Sequence, residues 1–154
     1  MNVYKTSQVR NVVFLGHGGA GKTTLAEAMA YATGVITRMG SVDNGNTISD
    51  YDSEEIKRKF SINAAVIPIE WNGLKINILD APGYFDFVGQ TEDAMSVADA
   101  AVIVVNGKAG LEVGTIKAWE ICERRKIPRI FFITGMDDPN AKYMETVKQL
   151  KETF

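Results

Sequence analysis

The chain has 154 residues, 45% apolar and 23% charged, which is enough for one domain with a sizeable core and excludes a disordered chain. Its net charge of −2 offers no general attraction to nucleic acid or membrane, so no direct DNA binding and no membrane association are expected. The single cysteine, Cys122, excludes an internal disulfide framework. It lies at helical spacing from Ile116 and Trp119, so it reads as a buried structural thiol in a reducing compartment. Residues 1–7 lack an apolar signal-peptide core, and no apolar run reaches membrane-spanning length. A cytoplasmic location is expected.

Residues 1–9 are polar and are expected to form a flexible N-terminus. Asn11–Leu15 reads as a strand buried on both faces, because its apolar run does not alternate. The stretch Gly16-His17-Gly18-Gly19-Ala20-Gly21-Lys22-Thr23-Thr24 follows and runs into a helical pattern. It matches G-x-x-x-x-G-K-[ST] between strand and helix, the phosphate-binding P-loop. Glycines let successive backbone N–H groups turn inward around a polyphosphate, and the helix N-terminus adds partial positive charge. In such a loop Lys22 reaches the β- and γ-phosphates and the Thr23 hydroxyl binds Mg²⁺. A glycine-rich turn that merely starts a helix is the bland alternative. The whole pattern in this context points instead to a nucleoside triphosphate.

Leu25, Met29 and Ala32 continue at helical spacing, and Gly34 is a natural stop. The stretch from Val35 to Ser61 carries Gly40, Gly45, many Asn, Asp and Ser residues, and the charged run Ser53–Lys59. A connection this long is either a solvated linker or a switch that orders around a ligand. Ile62–Trp71 and Leu74–Leu79 are strand-like, and Asn72-Gly73 between them is a strong hairpin signal because both residues tolerate φ > 0. The remaining order is helix (about 88–98), strand (Ala100–Val105), helix (about 112–125), strand (Arg129–Ile133) and helix (about 141–152). A P-loop helix followed by an antiparallel hairpin and then β/α units is the order of a GTPase-type domain, whereas nucleotide kinases usually continue with parallel crossovers. The expected fold is α/β: a three-layer P-loop NTPase fold with a mostly parallel sheet and one antiparallel edge strand, over residues 10–154.

Asp80-Ala81-Pro82-Gly83 closes the strand Ile76–Leu79. An Asp at a strand's C-terminal end can hold Mg²⁺, usually through water, and Gly83 can bring its backbone N–H to a γ-phosphate. The alternative is a plain strand-to-turn Pro-Gly. What favours the ligand is the position, at the sheet edge where ligands bind in open α/β folds.

The run Asp80-Ala81-Pro82-Gly83-Tyr84-Phe85-Asp86-Phe87 resembles the D-T-P-G-H-x-D-F signature of translational GTPases. Trp71–Ile78, Gly107–Val113 and Ile127–Ile130 resemble elongation factor G in particular, and the likeness extends over nearly all of residues 10–150. The resemblance implies a GTP/GDP cycle with Mg²⁺ and action on the ribosome. It places nucleotide contacts at His17, Gly18, Gly19, Ala20, Gly21, Lys22, Thr23 and Thr24, and Mg²⁺ ligands at Thr23, Ser61 and Asp80. Ser61 stands for the family's switch threonine within Arg58-Lys59-Phe60-Ser61-Ile62. The resemblance also implies a further strand and helix after residue 152, so the chain is expected to be a fragment or a truncated product, with an exposed sheet edge and an incomplete guanine pocket.

Several positions depart from the family pattern. Tyr84 stands at the family's catalytic His, and a phenol cannot supply an imidazolium. With Gly83 it makes up the catalytic pair expected here, Tyr84 either orienting water poorly or acting only as a hydrophobic lid. Gly18 and Gly19 replace an aliphatic gate residue and an Asp. His17 matches a family histidine, with a supporting structural role the simpler reading. The family's N-K-x-D base motif becomes Thr134-Gly135-Met136-Asp137. Asp137 can still accept from guanine N1–H and the 2-amino group, while Thr134 gives one hydroxyl where the family has an amide and Gly135 removes the lysine stem that packs on the base. Guanine preference at reduced affinity is expected, with a ligand-free turn as the alternative. The leading reading is therefore a GTPase domain with weakened hydrolysis. A pseudo-GTPase whose ligation controls a partner competes with it, and an ATPase or nucleotide kinase comes third.

Overall fold

β1 (Val9–Leu15), β2 (Ala65–Trp71), β3 (Leu74–Asp80), β4 (Ala100–Asn106) and β5 (Arg129–Thr134) form one sheet in the order β2-β3-β1-β4-β5 in the computed structural model, which describes residues 2–154. β1 runs parallel to both β3 and β4, β5 runs parallel to β4, and only β2 is antiparallel. The α/β GTPase-type sheet is thus the one expected. Asn72 (φ 48°) and Gly73 (φ 75°) both take positive φ in the β2–β3 turn, as a two-residue hairpin requires.

Helices α1 (Lys22–Ala32), α2 (Ser53–Arg58), α3 (Val88–Ser96), α4 (Val113–Arg125) and α5 (Tyr143–Thr153) complete the chain. Side chains alternate across β1 and so feed two cores. Phe14 joins Ala26 and Ala30 of α1 with Ile67, Ile69 and Ile78 on one face. Val13 and Leu15 join Met95 of α3, Ile121 and Cys122 of α4, and Leu150 of α5 on the other. Cys122 is fully buried, and burial pushes its thiol up to about 11. Trp119, Phe131 and Phe154 stack beyond it, with the Arg129 guanidinium 3.8 Å from the Trp119 ring. Ile130 and Phe132, on the opposite face of β5, are exposed. Among the described residues no helix is long and apolar enough to cross a membrane.

Besides shifts of one or two residues at other ends, the elements differ from expectation at β1, at β2 and in the irregular stretch between α1 and β2. β1 begins at Val9 rather than Asn11, because Val9 and Arg10 pair with Lys75 and Ile76 of β3. Ahead of it, residues 6–8 form a 3-10 turn, the Gln8 side chain donates to Gly73 O, and Asn2 donates to the Glu70 carboxylate. The expected flexible N-terminus therefore lies along the hairpin, while Met1 is outside the described residues. β2 starts at Ala65 rather than Ile62, since Ile62 and Asn63 give their backbone N–H groups to Glu55. Within the irregular stretch, α2 has a local cause. Asp52 accepts from Glu54 N, Glu55 reaches back to Asp52 N, and Glu54 pairs with Arg58 one turn on.

Candidate nucleotide-binding site

The P-loop, Asp80, Asn106 and Thr134 all lie at the C-terminal ends of the parallel strands β1, β3, β4 and β5, where open α/β sheets place ligands. The loop's backbone requires glycine at 16, 19 and 21, all three at positive φ. Gly16 (φ 137°) passes so close to β4 that a Cβ would stand 2.3 Å from Val104 O, and Gly21 (φ 91°) is the left-handed residue that opens α1. Lys22 Nζ donates to His17 O at 2.9 Å and Gly16 O at 3.2 Å. Burial lowers its ammonium to about 8, opposed by the charges of Asp80, Asp50 and Glu112. A cavity of about 190 Å³ opens beside the loop, lined by Gly18, Gly19, Lys22, Thr23, Ser61 and Gly83 together with Tyr84 and Phe60.

The three expected Mg²⁺ ligands converge. Thr23 Oγ1 donates to Asp80 Oδ2 at 2.8 Å and lies 3.2 Å from Ser61 Oγ, although Ser61 is 38 residues further along the chain. Burial raises the Asp80 carboxyl to about 6, against the Thr23 hydrogen bond and the Lys22 charge. Asp50 also lines the cavity, and burial raises its carboxyl too, partly offset by a hydrogen bond from Ser61. Asp80 Oδ1 and Asp50 Oδ2 are buried without a hydrogen-bond partner among the described residues. Two unpartnered carboxylate oxygens beside two hydroxyls suit a hard cation that prefers oxygen. Among the described residues no three His, Cys, Asp or Glu side chains are placed to hold an ion.

Asp50 is a residue the sequence reading missed, because a lone Asp in a polar stretch reads as solvated. Gly83 approaches the P-loop closely: a Cβ there would stand 2.3 Å from Lys22 Nζ and 2.7 Å from Gly18 N. His17 and Ala20 do not line the cavity. The His17 ring faces α4, with Nε2 3.6 Å from Glu112 and a Cβ on Gly114 impossible at 2.5 Å from its Cα. The His17 ring thus lies between the loop and the start of α4.

At the other end of the cleft, Thr134 Oγ1 donates to Ala20 O at 2.6 Å and thereby ties the β5 loop to the P-loop. Gly135 (φ 65°) is left-handed. Asp137 is exposed, with no hydrogen bond or ion pair among the described residues. Beside it Asp138 accepts from Lys108 Nζ at 3.1 Å and from Asn140 N at 2.8 Å.

The model of the elongation factor Tu GTP-binding domain matches residues 7–154. The elongation factor G-like protein of Mycobacterium tuberculosis is 39% identical over 146 residues, covering 95% of this chain and 20% of that protein. Mitochondrial ribosome-releasing factor 2 of Drosophila ananassae is 37% identical over 147 residues, covering 96% of this chain and 20% of that protein. The chain thus spans about a fifth of the length of these relatives. A crystal structure of a Thermus thermophilus protein superposes with a TM-score of 0.91 at 39% identity, covering 96% of this chain and 22% of that one. Elongation factor SelB from Methanococcus maripaludis, solved with the GTP analogue GppNHp, shares the fold at a TM-score of 0.68 and 24% identity, over 99% of this chain and 26% of that one. The chain belongs to the translational GTPases, as a GTP-binding domain of the elongation factor G-like kind.

Proposed function

We propose that this chain binds Mg²⁺–GTP and GDP in the cleft at the P-loop, in the cytoplasm, and changes the arrangement of residues 35–61 and 80–88 with the nucleotide for action on the ribosome. The observation that carries the reading is the meeting of Thr23, Asp80 and Ser61 beside Lys22. These groups come from three chain segments, and phosphate with Mg²⁺ accounts for all of them together. Bound Mg²⁺ would supply positive charge against the phosphate oxygens. Lys22 would neutralise phosphate charge, Gly83 N–H would meet the γ-phosphate, and Asp137 would accept from the guanine edge.

GTP hydrolysis is proposed to be weak. The phenol of Tyr84 has no proton-bearing cationic form with which to place the attacking water. Losing a positioned group of this type costs about 10²–10⁴ in rate, roughly 3–5 kcal/mol. Single-turnover phosphate release, with and without ribosomes, tests the proposal. A slow basal rate that ribosomes accelerate supports a GTPase acting in translation. Tight GTP binding with no release in either condition supports the competing pseudo-GTPase, a reading that the seating of Tyr84 on Gly18 favours. If Tyr84→His leaves the single-turnover rate unchanged, Tyr84 has no part in orienting water.

A further inference from the structure

Gly18 and Gly19 sit side by side in the P-loop, for different physical reasons. Gly19 has φ 81°, a left-handed conformation that needs glycine, and open space around it. The φ of Gly18 lies outside the left-handed region, so its backbone accepts any residue. What forbids a side chain at 18 is a ring. A Cβ there would stand 2.7 Å from Tyr84 Cζ, 2.9 Å from Cε2 and 3.0 Å from Cε1. The hydroxyl-bearing end of Tyr84 therefore lies on Gly18. Its ring also packs against Phe60 (centroids 4.7 Å apart, 53° between planes), and Phe60 in turn lies 6.2 Å from Phe87. All three residues, Gly18, Phe60 and Tyr84, line the cavity beside the P-loop.

We infer that Gly18 and Tyr84 are a matched pair in which the missing side chain at 18 seats the Tyr84 ring, and that the ring closes the triphosphate cavity together with Phe60. Tyr84 and Phe60 are then positioning residues that retain bound nucleotide, and the glycine at 18 is what lets them do so. The inference rests on the assignment of this cavity to a nucleotide. Its consequence is a coupling: a methyl at 18 expels the ring, so it opens the same lid that deleting the ring opens.

The test is the release of a fluorescent GDP analogue with Mg²⁺, measured by stopped flow on the wild-type chain and on Gly18→Ala, Tyr84→Ala, Tyr84→Phe and the Gly18→Ala/Tyr84→Ala double variant. Aromatic packing of this kind predicts release about 2–10-fold faster in each alanine variant, with no further increase in the double variant. Tyr84→Phe keeps the ring and is expected to release at the wild-type rate. Circular dichroism confirms that each variant is folded; where Gly18→Ala alone does not fold, folding regained in the Gly18→Ala/Tyr84→Ala double variant supports the pairing, and a double variant that also fails to fold overturns it. Alanine effects that multiply in the double variant would overturn the pairing. So would a Gly18→Ala rate equal to wild type, or a Tyr84→Phe rate equal to that of Tyr84→Ala. If the wild-type chain does not bind the analogue, it is the nucleotide assignment that fails, and the lid with it.

Discussion

Replacing Glu27 with alanine should loosen residues 35–50. The Glu27 side chain is 0% exposed. Its Oε2 accepts from Gly40 N at 2.9 Å, and its Oε1 accepts from Ile48 N. One helical carboxylate thus anchors the irregular stretch at two points eight residues apart. Truncation leaves both N–H groups without a partner, each at a cost of about 1–3 kcal/mol where water does not replace it. Gly40 is buried and pays in full, while Ile48 is half-buried and water can reach it. The expected loss is about 2–4 kcal/mol, a large share of the roughly 5–15 kcal/mol that holds a domain of this size. Glu27→Gln keeps one acceptor oxygen but turns an amide NH₂ toward the second N–H, so it should lose less than alanine does. Urea unfolding followed by circular dichroism gives the global loss, and amide exchange at Gly40 and Ile48 gives the local one. An Ala variant with the wild-type midpoint and unchanged protection at both amides would refute the anchor.

Thr134→Val removes the hydroxyl that donates to Ala20 O while keeping the side chain's shape. It should weaken GDP binding roughly three- to tenfold, by about 1 kcal/mol, through a P-loop no longer tied to the β5 loop; equal affinities in a calorimetric titration would contradict that tie. Cys122, with its thiol pushed up to about 11 by burial, should resist iodoacetamide at pH 8 in native buffer and react fully in denaturant. Native labelling at the rate of a free cysteine would place it elsewhere. Lys22 gives a pH dependence. A polyphosphate favours the ammonium, whose value without ligand is lowered to about 8, so the bound form titrates higher. GDP affinity should then be full below pH 8 and decline above it by up to about tenfold per pH unit. Affinity that rises between pH 8 and pH 9 would contradict a charged Lys22 at the phosphates.

The parts of the fold legible in the sequence are those whose cause is local. The Asn72-Gly73 turn needs two positive φ values and both residues supply them, so the hairpin and the antiparallel edge strand follow from two letters. The P-loop is equally local, since its glycines, Lys22 and Thr23 are contiguous. The Asp52–Glu55 capping box that opens α2 is also a local signal, but it lies in a stretch whose polar composition reads as loop. What stayed hidden depends on distant partners. Glu27, Asp50 and Glu55 are charged residues that a sequence reads as solvated, yet all three are buried. Glu27 and Glu55 are satisfied there by backbone N–H groups 7 to 21 residues away. Gly18 belongs to the same class. The pair Gly18-Gly19 suggests backbone freedom, and only the position of Tyr84 gives Gly18 a different reason from its neighbour.

The P-loop, the Thr23–Asp80–Ser61 cluster and Asp137 are proposed to bind a guanine nucleotide with Mg²⁺ together. An equilibrium titration of the chain with GTP and with ATP, each with and without Mg²⁺, tests it most directly. GTP should bind, and more tightly with Mg²⁺, and ATP should bind about tenfold or more weakly, because adenine lacks the N1–H and 2-amino donors from which Asp137 would accept. ATP bound as tightly as GTP would contradict the role of Asp137, and no binding of either would contradict the site itself.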